Sequence, residues 1–303
     1  MKTASVAVIS TLLCCCVLAA QEPDWEKVTF KVQKVAGSVY MLSDSESAGG
    51  NIGVSVGEDG VLLVDDQFAP LAPKIEAALA GISAKPVRFV VNTHFHGDHA
   101  NGNKVFGAKS TIVAHDNVRR RLETDDAFDL KRGTRAPKQA LPLITFDSRV
   151  SFHLNGEEIR AVHFPAGHTD GDAVIYFTGS NVVHMGDDFF NGTFPFIDLE
   201  SGGTAQGYVA AVKKVLAELP VDVKVIPGHG PLGNRDDVAA NLSMLEATLA
   251  VVEKGIAAGR SLEDLRGAKV MAPWAKYSAY FLTPDYHLAQ LYNSLKGIAK
   301  NPS

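Results

Sequence analysis

Residues Thr93-His94-Phe95-His96-Gly97-Asp98-His99 place three imidazoles and a carboxylate within a few positions, directly after an apolar run at 87–91. Imidazole and carboxylate are ligands that divalent ions such as zinc prefer, and a short loop leaving a strand can aim several of them at one point. A purely structural role would demand a separate hydrogen-bond partner for each of these clustered groups. One loop cannot fill two coordination spheres. Further ligands are expected downstream, on loops that a rigid scaffold brings to the same place.

Three later loops supply them: Gly167-His168-Thr169-Asp170-Gly171, Gly186-Asp187-Asp188 and Gly228-His229-Gly230. Each follows a candidate strand and sets its ligand beside glycine, which permits tight turns and close backbone approach. The ordered set HxHxDH, GHTxG, GD and PGHG, between about residues 52 and 231, resembles the signature of the metallo-β-lactamase superfamily. The resemblance implies an α/β fold, a four-layer αββα sandwich with its metals at one edge between the two sheets. It implies His94, His96 and His168 as ligands of one metal, Asp98, His99 and His229 as ligands of a second, and Asp187 as the carboxylate bridging both. The expected cofactor is two Zn(2+), although iron or manganese also suits this ligand set. Two such ions roughly 3.5–4 Å apart ionise a bound water near neutral pH and polarise the substrate oxygen, so metal-bound hydroxide is the expected nucleophile. Asp98 is the expected catalytic residue, orienting that hydroxide and accepting its proton. Asp65 resembles an aspartate that supports the metal loop from behind, and reads equally as a strand-end turn.

Departures within the family narrow the activity. The common clinical lactamases have Arg in place of His99 and Cys in place of Asp187, and another lactamase subclass has Ser in place of Asp187. The present set looks like that of glyoxalase II, the acyl-homoserine lactonases and the tRNA 3′-end nucleases. Lactonases carry a tyrosine where this chain has Phe190, and glyoxalase II needs a cationic tail. The chain also resembles exported hydrolases described as lactamase-like or cyclase-like. The expectation is an exported dinuclear zinc hydrolase cleaving an acyl C–N or C–O bond, with a β-lactam or lactone ring as the leading substrate. The alternative is a mononuclear iron enzyme of the sulfur-dioxygenase or redox type. Phe189, Phe190, Phe194 and Phe196 read either as a pocket wall for a small apolar acyl substrate or as core, and the small, polar loop at 43–50 as a mobile flap.

Lys2, an apolar run at 4–18 and Ala19-Ala20 ahead of polar residues have the pattern of a cleaved export signal. Expected boundaries are a signal at 1–20 and one catalytic domain at 21–303 that includes a C-terminal helical extension. Cleavage would leave no stable membrane insertion and a periplasmic or secreted product. Cys14, Cys15 and Cys16, the only cysteines, fall in that signal, so the mature chain has neither a disulfide nor a thiolate ligand. The formal net charge of −5 argues against a nucleic-acid partner. Strands are expected at 28–35, 39–42, 52–56, 61–64, 87–91, 111–114, 159–164, 173–177, 182–184 and 223–226, and helices at 70–79, from Asp116, at 204–219 and across 237–258. Residues 123–142 read as an irregular excursion. Trp274, Tyr277, Tyr280, Phe281, Tyr286 and Tyr292 read as core-packing residues of C-terminal helices. His115, His153, His163, His184 and His287 match no motif and are expected at the surface or in satisfied core positions.

Overall fold

The computed structural model describes residues 24–124 and 135–302. The expected export signal, its cysteines and part of the 123–142 excursion lie outside the described residues. Seven strands form one sheet in sequence order: β1 (Phe30–Ala36), β2 (Val39–Asp44), β3 (Ile52–Gly57), β4 (Gly60–Val64), β5 (Val87–Val91), β6 (Thr111–His115) and β7 (Ile144–Phe146). The first four are an antiparallel meander, and β4 through β7 pair in parallel. The second sheet holds β8 (Arg149–Leu154), β9 (Glu157–His163), β10 (Ala173–Phe177), β11 (Val182–His184), β12 (Lys224–Ile226) and β13 (Gly233–Asn234), in the order β13-β12-β11-β10-β9-β8. β8 is missing from the strands expected above. Yet Val150, Phe152 and Leu154 alternate with Arg149, Ser151 and His153, which is the period-two signal of a strand with one wet face.

The helices are α1 (Ala72–Ala80), the single turns α2 (Gly97–Ala100) and α3 (Asn103–Phe106), α4 (Asp116–Thr124), α5 (Ala205–Glu218), α6 (Arg235–Ala257), α7 (Leu262–Gly267) and α8 (Pro284–Leu295). Side-chain alternation within the strands builds the layers. Leu62 and Val64 of β4 point into a core shared with Ile159, Ala161, Ile175 and Phe177 of the other sheet. Their neighbours Val61 and Leu63 point outward onto Leu71, Ile75 and Leu79 of the α1 region. On the second sheet Val182 faces the inter-sheet core, while Val183 faces a third core built with α5, α6 and α8. Helix, sheet, sheet and helix therefore stack in four layers, and each fully buried Val or Leu contributes about 1.5–3 kcal/mol.

Local chemistry sets the helix ends. The Thr204 hydroxyl accepts from Gly207 N at the start of α5, and Asn234 and Asp237 form a reciprocal capping box on α6. Trp274, Tyr277, Tyr286 and Tyr292 pack against the third core as the sequence suggests. Tyr280 and Phe281 do not: they stand 75% and 57% exposed. His115 and His184 are buried and His163 is part-buried, all with hydrogen-bond partners, and His153 is exposed.

His287 is wholly buried, stacked on Phe194 at 4.3 Å between ring centroids. Burial holds its pKa down, from 6.5 to about 3. The fold therefore keeps this ring neutral while the unfolded chain protonates it, so stability present above pH 6.5 is lost as pH falls towards 3. The loss amounts to about 2 kcal/mol at pH 5. A His287→Phe variant keeps the stack and should show a smaller drop in urea midpoint between pH 7.5 and 5 than the parent; equal drops would contradict this assignment.

Candidate metal centre

All seven expected ligands meet at one edge of the sandwich. β5 ends on the turn that carries His94 and His96, and α2 immediately adds Asp98 and His99. His168 sits on the connection from β9 to β10. Asp187 lies in the 3-10 turn Gly186–Asp188 after β11, and His229 in the loop after β12. Because β11 and β12 run parallel, their C-terminal ends present Asp187 and His229 side by side.

Two glycines permit this closeness. Gly186 has φ +51°, and a Cβ there would stand 2.7 Å from Thr93. A Cβ on Gly228 would meet Asp187 Oδ1 at 2.0 Å. Any larger residue at Gly228 would displace the carboxylate.

The ligand atoms fall into two groups with Asp187 between them. His94, His96 and His168 form one group, and Asp98, His99 and His229 the other, each with its candidate ligand atoms within 4.8 Å of one another. Nδ1 of His96 lies 2.8 Å from Nε2 of His168. Asp187 Oδ2 faces the first group, 3.5 Å from His168 Nε2 and 3.9 Å from His94 Nε2. Its Oδ1 faces the second, 3.1 Å from His99 Nε2 and 3.5 Å from His229 Nε2. Asp98 Oδ2 completes that group, 3.3 Å from His229 Nε2 and 3.6 Å from His99 Nε2.

Partners behind the cluster fix which nitrogen each ring turns inward. Asp65, fully buried, accepts from Thr93 N and Thr93 Oγ1 at 2.7 Å and from His99 Nδ1 at 2.8 Å. With its proton committed to Asp65, the Thr93 hydroxyl accepts from His94 Nδ1 at 3.0 Å. His168 Nδ1 donates to Phe196 O at 2.8 Å, and His96 Nε2 to Asp198 Oδ2 at 2.9 Å. Each of these four rings therefore presents a lone pair to the centre, at Nε2 of His94, His99 and His168 and at Nδ1 of His96. Such outer partners orient metal-binding imidazoles and raise their basicity. Asp65 pays for its place with a left-handed backbone, φ +64°.

Two inward atoms, His94 Nε2 and Asp187 Oδ1, are buried without a hydrogen-bond partner. Buried polar atoms without partners are costly, and a cation between the groups would satisfy both. Burial drags His94 down and takes His168 to about 4, with neighbouring imidazoles adding to the effect. At His99 and His229 burial also pulls downward, but the carboxylates of Asp187 and Asp98 outweigh it and lift His229 to about 9. Asp98 and Asp187 are held below the ordinary carboxylate range by His99 and His229, against the upward push of burial. The donor set thus fits two divalent cations, with positive charge already favoured around Asp98 and Asp187.

Three residues around the site are not singled out by the sequence. Asp198 is legible there only as a turn residue, its Oδ1 accepting from Glu200 N and Ser201 N; its hold on His96 spans 102 positions. Tyr208, buried in α5, donates to the Asp187 carbonyl at 2.8 Å. Asn51 donates to Pro227 O and Gly230 O, clamping the His229 loop to β3. The 43–50 loop, expected as a flap, is tied down: Asp44 accepts from Ala48 N and Gly49 N, and Gln67 Nε2 reaches Gly50 O. Among the four phenylalanines, Phe189, Phe190 and Phe194 are core, Phe190 also stacking on His229 at 5.1 Å, and part-buried Phe196 faces His96 and His168.

Asp198→Asn keeps the turn but removes the charge behind His96. Chelator competition with added zinc should show metal affinity weakened about 10–100-fold with melting temperature nearly unchanged; an unaltered affinity would show that Asp198 only shapes the turn.

Comparison with known proteins agrees with this geometry. The family model for the metallo-beta-lactamase superfamily, whose members are usually metal-dependent hydrolases, matches residues 48–229, more than half of the chain. A linear primary-alkylsulfatase of Pseudomonas sp. (strain ATCC 19151) is 23% identical over 289 residues, covering 79% of this chain and 54% of that protein. An uncharacterized protein of Aquifex aeolicus (strain VF5) is 39% identical over 72 residues, 24% of this chain and 33% of its own length. The chain thus spans about half the length, or less, of these curated relatives. Among solved structures, a metallo-beta-lactamase from Pontibacter korlensis superposes with a TM-score of 0.59 at 18% identity, covering 72% of this chain and 99% of its own. The DIM-1 metallo-beta-lactamase gives 0.59 at 16% identity, with 72% and 98% covered. With the fold, the ordered motifs and the family match in agreement, this chain belongs to the metallo-beta-lactamase superfamily.

Proposed function

We propose that the chain is an exported, dinuclear zinc hydrolase that cleaves an acyl C–N or C–O bond, with a lactam or lactone ring as its leading substrate. The observation that carries this reading is the Asp187 carboxylate, which offers one oxygen to each of two ligand groups. Two divalent ions bound there supply activated water near neutral pH and an electrophilic partner for the substrate oxygen. The chain's own residues do the rest. Asp98, part-exposed at the mouth and held deprotonated, takes a proton from the attacking water and returns it to the departing atom. His96 and His229 are the other two ligands that reach the surface, so substrate enters between them. Phe190 covers one face of His229 and offers no hydroxyl to the substrate.

The alkylsulfatase relative supports a second reading, cleavage of a sulfate ester at the same centre. A panel of a chromogenic cephalosporin, an N-acyl lactone, a thioester, a phosphodiester and an alkyl sulfate separates the two. Turnover of the first two favours the acyl reading, turnover of the alkyl sulfate alone favours the second, and turnover of none contradicts both.

A further inference from the structure

Tyr280 and Phe281 are adjacent, exposed, and displayed at the tip of a two-residue turn. Leu282 N donates to Ala279 O at 2.8 Å and Ala279 N to Leu282 O at 3.3 Å. The first central position of such a turn favours glycine when φ is positive, yet Tyr280 occupies it with φ +51°. A bulky residue in the left-handed region is strained, and strain of this kind concentrates at ligand-binding sites. Burial does not repay it, since both rings face solvent.

The turn is held firmly against the metal edge. Thr283 caps α8 directly after it, its hydroxyl accepting from Tyr286 N at 3.1 Å. Buried Gln290 of α8 accepts from Ile197 N and donates to Pro195 O, so it grips the backbone on both sides of Phe196. Phe281 lies 5.2 Å from Tyr286 and 5.9 Å from Phe196 between ring centroids. Phe196 in turn lies 5.7 Å from His168 and 6.1 Å from His96. An unbroken series of ring contacts therefore runs from solvent to two of the imidazoles. Apolar surface leading to a few convergent polar groups is the composition of a small-molecule site.

The geometry points to an aromatic shelf on the C-terminal turn, Phe281 with Phe196, that seats an extended apolar chain attached to the scissile group of the substrate. Phe281 and Phe196 are its specificity-determining residues. This deepens the hydrolase reading by naming a substrate class, acyl or alkyl compounds with a long apolar tail, and rests on that reading for the reaction itself.

The test is calorimetric titration of zinc-loaded protein with acetyl, butyryl, hexanoyl and octanoyl hydroxamates, after elemental analysis has fixed the metal content. Affinity should rise by about fourfold per added methylene, the rise should largely vanish in Phe281→Ser, and Phe281→Leu should keep most of it. Equal slopes in parent and Phe281→Ser, or no slope in the parent, overturn the shelf while leaving a metal-bound hydroxamate site intact. If the protein takes up no zinc, the same series of alkyl carboxylates is titrated: a chain-length slope abolished by Phe281→Ser supports the shelf and fails the hydrolase reading, and no slope overturns both. A Phe281→Ser change that converts a dimer to a monomer with the slope unaltered also overturns the proposal, since the shelf would then seat a second copy of the chain.

Discussion

Asp98→Asn should lose about 10²–10⁴-fold in kcat on whichever panel substrate the parent turns over, with the fold intact. The amide keeps the size and one oxygen of the carboxylate but cannot accept the proton of the attacking water. The neighbouring backbone does not depend on the charge, because α2 is fixed by His99 N and Ala100 N donating to His96 O, and by Asp66 N donating to His99 O. Circular dichroism and the melting curve should therefore match the parent while turnover collapses. An active Asp98→Asn protein would remove Asp98 from the chemistry and leave it, at most, a ligand.

Asp187→Asn should have the larger structural effect on the centre. Among the described residues, Asp187 alone turns its two oxygens to different ligand groups, and its Oδ1 has no hydrogen-bond partner. Replacing it with the neutral amide also removes the charge that lifts His99 and His229. The variant should bind at most one zinc with high affinity and lose roughly 10³-fold or more in activity, the scale of several kcal/mol of charge stabilisation. Full stoichiometry in Asp187→Asn would show that the two ligand groups act independently.

Much of this was legible in the residues because four of the seven ligands are local and the other three sit beside glycine in strand-end loops. His94, His96, Asp98 and His99 lie on one loop, and their spacing alone brings them to one place. The strand at 61–64 is a continuous apolar run, as a strand covered on both faces must be. What escaped the sequence depends on distant pairing. Asp198 reads as a turn former, and only the folding of the loop after β11 brings it to His96. Tyr208 reads as one more apolar position of α5, and nothing local says that its hydroxyl ends on the Asp187 carbonyl. The four phenylalanines after Asp187 could not be divided by composition. Phe189, Phe190 and Phe194 join the core packed with α6 and α8, while Phe196 is part-buried and faces the imidazoles. The exposure of Tyr280 and Phe281 runs against their hydrophobicity, and a reading based on periodicity assigns such residues to the core.

The proposed centre holds two cations between Asp187 and six further side chains. The most direct test is elemental analysis of the purified protein after equilibration with zinc and removal of excess metal. Two zinc ions per chain, falling to at most one in Asp187→Asn, is the predicted result. A parent that retains a single metal ion, zinc or iron, with Asp187→Asn indistinguishable from it, would contradict the bridged centre.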